Sequence, residues 1–299
     1  MSIQPSCLTP HNAPAEAAAR HAGAPAYSGI VRVALAQVTS GEDPAANLAL
    51  VEERVRAAAE RGAELVVLPE ATMRAFGHRL DDVAEPLDGP FATAARQIAE
   101  RHGVQLVLGM FTPGEPRPGS ERRSVTNTLL VTGPGTHLGY DKIHLYDAFG
   151  FTESATVTAG TTPVTFRCGD VTVGLATCYD VRFPALFTRL AAAGAEVVVV
   201  GASWGAGEGK AEQWDLLVRA RALDSTCWVL ACGQSDPVAA GVAAVAGAPT
   251  GIGRSAVVRP DGTVLARAGA GPELLVADVD PDTVRRVREQ LPVLANARL

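Results

Sequence analysis

The chain has 299 residues, 47% of them hydrophobic and 19% charged, with a net charge of −6. That length suits one large α/β domain or two small ones, and the acidic balance argues against nucleic acid or an anionic membrane as partner. No apolar run approaches the roughly 20 residues needed to span a bilayer, so no membrane association is expected. Residues 1–28 are rich in Ala, Pro and His, with neither a basic start nor an apolar block. They read as a disordered tail, not as a signal peptide. Five cysteines, Cys7, Cys168, Cys178, Cys227 and Cys232, make an odd set without any CxxC. With no export signal, they predict reduced thiols in the cytoplasm.

Ordered structure is expected from Ile30, where Ile30–Gln37 alternates as a strand. Asp43 and Pro44 read as a cap and a first-turn proline for a helix ending near Gly62. Leu65–Leu68 is a short buried strand, a helix follows Gly89 and Pro90 and stops at Gly103, and Val104–Met110 is the next strand. Pro113–Ser120 reads as a Pro/Gly loop, and Val125–Val131 pairs with Gly139–Ile143. Val164–Arg167 and Val171–Ala176 flank a hairpin turn at Gly169 and Asp170. Pro184 opens a helix that Gly194 closes. Glu196–Val200, a helix over 208–224 and Trp228–Cys232 follow. Ser255–Arg259, Gly262–Ala266 and Leu274–Val279 are late strands, and a last helix starts at Asp280 and Pro281. Strands alternating with helices, with hairpins interspersed, predict an α/β fold with a mixed sheet and layered helices. No composition break divides residues 30–299.

Cys178 stands between the strand ending at Thr177 and the helix opened by Pro184. Such a turn presents a side chain at the rim of a sheet, where α/β enzymes hold nucleophiles. A cysteine in an apolar segment is more often a small core residue, so a nucleophile needs a base and an oxyanion site. No histidine follows His144, which leaves a Cys–His arrangement unsupported. Glu70 and Lys142 offer an alternative, because each ends a strand, and ligands gather beyond the carboxyl ends of strands in open α/β sheets. A desolvated carboxylate can take the thiol proton. An ammonium favours the thiolate and then holds the tetrahedral oxyanion, with the Tyr179 N–H as a second donor. This set needs no metal and no cofactor.

Other motifs fail on their own terms. Gly201–Gly205 matches G-x-S-x-G around Ser203, but that triad needs a later histidine. Gly205–Lys210 resembles a phosphate loop, yet Trp204 stands where the first glycine belongs and Ala211 where Ser or Thr belongs. No His/Cys group has zinc-ligand spacing. Cys227 and Cys232 read as core.

The segments Leu65–Glu70, Asp141–Leu145 and Thr177–Pro184 resemble, in order and spacing, the three signature blocks of the nitrilase superfamily of carbon–nitrogen hydrolases. The resemblance covers about residues 30–295. It implies a four-layer αββα sandwich, a single domain over 29–299, and a Glu-Lys-Cys triad of Glu70, Lys142 and Cys178. It also implies a homodimer or larger assembly, packed through the helix after the cysteine and the C-terminal segment. The family often carries a second glutamate after the lysine block. Glu153, in Phe151–Ser154, resembles it and would orient Lys142 or the substrate amide. Tyr179 and Asp180 after the cysteine look like the amidase branches, most of all the Nit-type amidases of small carboxylated amides. Hydrolysis of such a linear amide to acid and ammonia is the expected activity. N-carbamoyl amino acid hydrolysis, or a non-catalytic binding subunit of the same fold, are the alternatives. Asp180 and Arg182 read as an ion pair shaping the turn, with a carboxylate-binding role for Arg182 left open. Trp204 and the loop Gly205–Lys210 are expected to line the acyl pocket.

Overall fold

Two six-stranded sheets face each other, and their helices lie on the two outer faces. The structure is a computed structural model that describes residues 29–117, 119, 122–245 and 247–298. The tail expected over 1–28, with Cys7, lies outside the described residues.

In chain order the first half runs β1 (Val31–Gln37), α1 (Pro44–Ala59), β2 (Leu65–Val67), α2 (Pro90–His102), β3 (Gln105–Pro116), β4 (Arg123–Gly133) and β5 (Thr136–Asp141). A two-stranded ribbon, β6 (Asp147–Ala148) and β7 (Phe151–Thr152), leads into a 3-10 turn at Glu153–Ala155. The second half runs β8 (Thr165–Cys168), β9 (Val171–Thr177), a 3-10 turn at Cys178–Arg182, α3 (Pro184–Ala192), β10 (Val197–Ala202), α4 (Lys210–Ser225) and β11 (Trp228–Gly233). It closes with β12 (Ala256–Val258), β13 (Val264–Arg267), β14 (Glu273–Val279), α5 (Pro281–Gln290) and α6 (Val293–Asn296). The first sheet has the order β14-β1-β2-β3-β4-β5, the second β13-β12-β11-β10-β9-β8.

Local chemistry explains the boundaries. The Asp43 side chain accepts the Ala45 N–H at 2.9 Å and Pro44 pre-sets the first turn of α1. Gly103, at φ 66°, ends α2 in the left-handed conformation. Several strand ends shift by a few residues from the sequence reading, and β3 departs most: it continues through Pro113 to Pro116, which pairs with Arg123 across an irregular register. A proline cannot donate to a ladder, and Pro113 and Pro116 flank the break in register.

Strand alternation divides the core. In β10, Val197 and Val199 pack between the sheets, against Val33, Leu65 and Val107 of the first sheet. Val198 and Val200 point the other way, towards Leu186, Leu190, Trp214 and Val218 of α3 and α4. On the opposite side, Val51, Val55 and Ile98 of α1 and α2 cover Val66, Leu106 and Leu130. A strand covered on both faces has no polar face to show, which is why β10 reads as an unbroken valine run. Each such fully buried aliphatic side chain contributes about 1.5–3 kcal/mol relative to exposure. The layers are therefore helix, sheet, sheet, helix. Parallel pairing of β9, β10 and β11, and of β1, β2 and β3, turns the carboxyl ends of each set one way.

Candidate active site

Glu70 stands just beyond β2, where the chain turns sharply; Ala71 takes φ 58°. This turn lies against β3 so closely that a Cβ on Gly109 would sit 2.4 Å from the Ala71 nitrogen and 2.7 Å from the Glu70 Cα. Only glycine admits that approach. Cys178 follows β9 with φ 46°, a left-handed conformation that costs a non-glycine residue about 1–2 kcal/mol. The strain is held by Asp180, which is fully buried. Its carboxylate accepts the Thr177 N–H at 2.8 Å, the His144 N–H at 3.0 Å, His144 Nδ1 at 2.7 Å and the Tyr140 hydroxyl at 2.6 Å. Burial and the adjacent Asp180 both raise the Tyr140 phenol, so it stays protonated and keeps donating. Asp180 thereby ties the cysteine turn to β5 and to the segment carrying Lys142. The Asp180–Arg182 pair read from the sequence does not form, because the carboxylate is already saturated by those four donors. The Arg182 guanidinium instead donates to Gln213 at 2.6 Å and lies 5.2 Å from the centre of the Trp204 ring.

Four of the sequence candidates, Glu70, Lys142, Glu153 and Cys178, line one cavity. The Lys142 ammonium, 2% exposed, donates to Glu70 Oε1 at 3.0 Å and to Glu153 at 3.0 and 2.8 Å. Burial pulls its pKa down, but the two carboxylates outweigh burial and hold it above the usual lysine range. Burial is also the largest influence on Cys178. It pushes the thiol well above its usual value, Glu70 adds to the rise and Lys142 opposes it. The resting arrangement is thus a neutral thiol beside a carboxylate, with a cation between two carboxylates. Such a site can move the thiol proton to the carboxylate as the sulfur attacks.

Three further residues complete this cluster. Asn127 of β4 is fully buried, and its amide nitrogen donates to Glu70 at 2.7 Å and to Glu153 at 3.2 Å. It is the cross-strand neighbour of Lys142, whose N–H bonds the Asn127 carbonyl at 2.9 Å. The Ser203 N–H donates to Glu70 Oε2 at 2.7 Å, and the Cys178 sulfur lies 3.9 Å from the Ser203 carbonyl. The Ser203 hydroxyl is committed to the Pro249 carbonyl, so the G-x-S-x-G match supplies a backbone clamp in place of a nucleophile. The Tyr146 N–H donates to Glu153 Oε2 at 2.6 Å. Asn127 carried one weak signal: an amide between Thr126 and Thr128 inside a strand, which when buried demands partners. Nothing in the sequence marks the Ser203 peptide.

The opposite wall is aromatic. Tyr146, Phe151, Tyr179 and Trp204 line the cavity together with Lys210. The Tyr146 and Tyr179 rings meet edge to face at 5.1 Å, and the Trp204 indole donates to the Lys210 carbonyl at 2.9 Å. Tyr179 and Trp204 are thus on the wall, while Arg182 lies against both rings and is not among the cavity-lining residues. Cys168, Cys227 and Cys232 are buried away from this cavity. Among the described residues no group of three or more His, Cys, Asp and Glu is placed to hold a metal ion, and no helix is long and apolar enough to cross a membrane.

The chain was compared with known proteins. The carbon–nitrogen hydrolase family matches residues 32–289. Hydrolase Rv0480c of Mycobacterium tuberculosis (strain H37Rv) is 54% identical over 273 residues, covering 89% of this chain and 95% of that protein. The deaminated glutathione amidase of Escherichia coli O157:H7 is 37% identical over 247 residues, covering 81% and 87%. Among solved structures, a mutant amidase from Nesterenkonia sp. AN1 superposes with a TM-score of 0.68 at 28% identity, covering 88% of this chain and 98% of that one. That structure contains the product of Michael addition of acrylamide at the enzyme's active-site cysteine. A family match across most of the chain, a relative identical at more than half of the aligned positions and a buried carboxylate–ammonium–thiol cluster lead to one conclusion: the chain belongs to the carbon–nitrogen hydrolase family and is an enzyme of that kind.

Proposed function

We propose that this protein is a Nit-type amidase that hydrolyses a small, carboxylated linear amide through a thioester on Cys178. The observation that carries the reading is the Lys142 ammonium shared between Glu70 and Glu153, in the same cavity as the thiol. Glu70 takes the thiol proton as sulfur attacks the amide carbon. Lys142 and the Tyr179 N–H stabilise the resulting oxyanion. Collapse breaks the carbon–nitrogen bond, and Glu70 returns its proton to the departing ammonia. Glu70 then deprotonates water, which attacks the thioester, and the proton returns to the sulfur as the acid leaves. Glu153 keeps Lys142 charged and in place. The neutral resting thiol agrees with this sequence, because proton transfer is then coupled to attack.

The test is ammonia release from a panel of amides, ureides and nitriles, with mass spectrometry of the acyl-enzyme. Acyl mass on the Cys178 peptide, and its loss together with ammonia release in Cys178→Ala, is expected. Ammonia release unchanged in Cys178→Ala would sink the mechanism. Hydrolysis of N-carbamoyl amino acids and a non-catalytic role are not favoured, since relatives are named as amidases and the reactive set is complete.

We assign the enzyme to the cytoplasm, which agrees with four free cysteines among the described residues. We assign it a homodimeric state. Leu216 and Leu223 of α4 and Leu291 beside α6 are exposed, and α4 and α6 both pack on α3, which supports that region as the interface. Light scattering on Leu216→Asp should give the monomer mass; a wild-type monomer would overturn the assignment.

A further inference from the structure

Glu70 is gripped at both ends from the opposite sheet. Its carboxylate takes the Ser203 N–H at 2.7 Å, and its own carbonyl takes the side-chain amide nitrogen of Gln234 at 2.9 Å. Gln234 follows β11, is buried, and uses both polar atoms of its side chain. Nε2 also donates to the Ser40 hydroxyl at 2.8 Å, and Oε1 accepts the Ser40 N–H at 3.0 Å. These partners fix which way the amide faces, because turned over it would set its oxygen against the Glu70 carbonyl. The Gln234 main chain reaches the same place. Its N–H donates to the Ala202 carbonyl at 2.8 Å, and that carbonyl shares one peptide unit with the Ser203 N–H. The unit is planar, so holding its oxygen aims its N–H at the Glu70 carboxylate.

The chain at Glu70 needs such a clamp. The next residue, Ala71, is held at φ 58°, a left-handed conformation that strains a non-glycine residue and persists only where its surroundings impose it. The Glu70 carbonyl belongs to the peptide unit that enters Ala71, so the bond from Gln234 fixes that unit. Released, the turn would relax and carry the carboxylate away from the thiol. We infer that Gln234 is the positioning residue of the general base: its side-chain amide keeps Glu70 within reach of the Cys178 proton. This rests on Glu70 acting as the base of the proposed hydrolysis. A second glutamine provides the contrast. Gln37, at the end of β1, is equally buried and bonds the carbonyls of Gly269 and Gly271 and both the N–H and hydroxyl of Ser255. None of those partners lines the catalytic cavity.

Two measurements on the full chain test the inference. Gln234→Met keeps the length of the side chain and removes its hydrogen bonds. With succinamate as substrate, kcat should fall about 10- to 100-fold while KM stays within about twofold, as a misplaced base requires. Gln37→Met should unfold at lower urea with kcat held. Unchanged kcat in Gln234→Met, or equal falls in the two variants, would overturn the inference. The second measurement needs no turnover. The resting thiol is neutral, so its alkylation by iodoacetamide depends on the base. Alkylation of the Cys178 peptide should slow about tenfold or more in Gln234→Met and in Glu70→Gln, and not in Gln37→Met. Slowing in Glu70→Gln alone would overturn the role of Gln234. No slowing in Glu70→Gln would instead sink Glu70 as the base, and the inference with it. If Gln234→Met does not fold, the isosteric Gln234→Glu decides. The introduced carboxyl donates to the Glu70 carbonyl only when protonated, which burial favours. Its alkylation rate relative to wild type should therefore rise from about pH 8 to about pH 6, since titrations shared by both proteins cancel in the ratio. A flat ratio would overturn the inference.

Discussion

The two ends of the cavity are built on different principles. At the reacting end, Glu70, Lys142, Glu153 and Asn127 are almost wholly buried, and each charged group meets a partner on another strand or turn. At the other end, Tyr146, Phe151 and Tyr179 are half-buried, Phe149 is exposed, and the contacts are between ring faces and edges. Buried charge tolerates one geometry, because a single lost partner leaves an uncompensated ion. Aromatic faces tolerate several, since each contact is weak and broad in angle. On the proposed mechanism, turnover belongs to the first end and substrate choice to the second. Variants should divide the same way, with kcat falling at one end and KM rising at the other.

The largest departure should follow Lys142→Met. It removes the oxyanion donor, which lowers kcat about 100- to 1,000-fold. It also leaves Glu70 and Glu153 sharing a dry site, which destabilises the fold by about 3–5 kcal/mol. Steady-state assays and urea melts read the two effects; a variant that loses only stability would break the assignment of turnover to this end. Asn127→Ala comes next. Both glutamates lose a charge-assisted donor, so stability should drop by about 1.5–3 kcal/mol and kcat by about 10- to 100-fold as Glu70 is misplaced, with KM nearly constant. A rise in KM as large as the fall in kcat would blur the division. Tyr146→Phe keeps the ring and the N–H that holds Glu153 and removes only the hydroxyl that accepts from Lys210, so KM should rise about two- to tenfold with kcat held. A fall in kcat would place Tyr146 at the reacting end.

The smallest expected effect is none at all. The Cys178 pKa is raised above its ordinary value, so the thiol is protonated everywhere below about pH 8.5. Replacing it by Ser at neutral pH should leave the ultraviolet thiolate absorbance unchanged. A measurable loss would mean a preformed thiolate, and proton transfer to Glu70 would no longer accompany attack.

Much of the frame was legible along the chain. Alternating apolar runs, Asp43 with Pro44 and the αL glycines mark β1, α1 and α2 because these signals act within a few residues. Glu70, Lys142 and Cys178 were legible as strand-end residues of three chemical types, and the fold brings them to one cavity. Asp180 was misread because its natural neighbour in sequence, Arg182, is not its partner in space: Tyr140 comes from β5 of the other sheet and His144 from the loop that follows it.

The order of polar and apolar residues, with capping and turn chemistry, was enough to determine the elements of this protein and the chemical types at its strand ends, since those choices are local free energies. Tertiary structure alone decided that Asn127 bridges two glutamates, that the Ser203 peptide holds Glu70, and that Lys210 meets the Tyr146 hydroxyl while Arg182 is bonded to Gln213. Those outcomes depend on cross-strand register and on how one sheet sits against the other. A shift of one residue would turn each side chain to the opposite face.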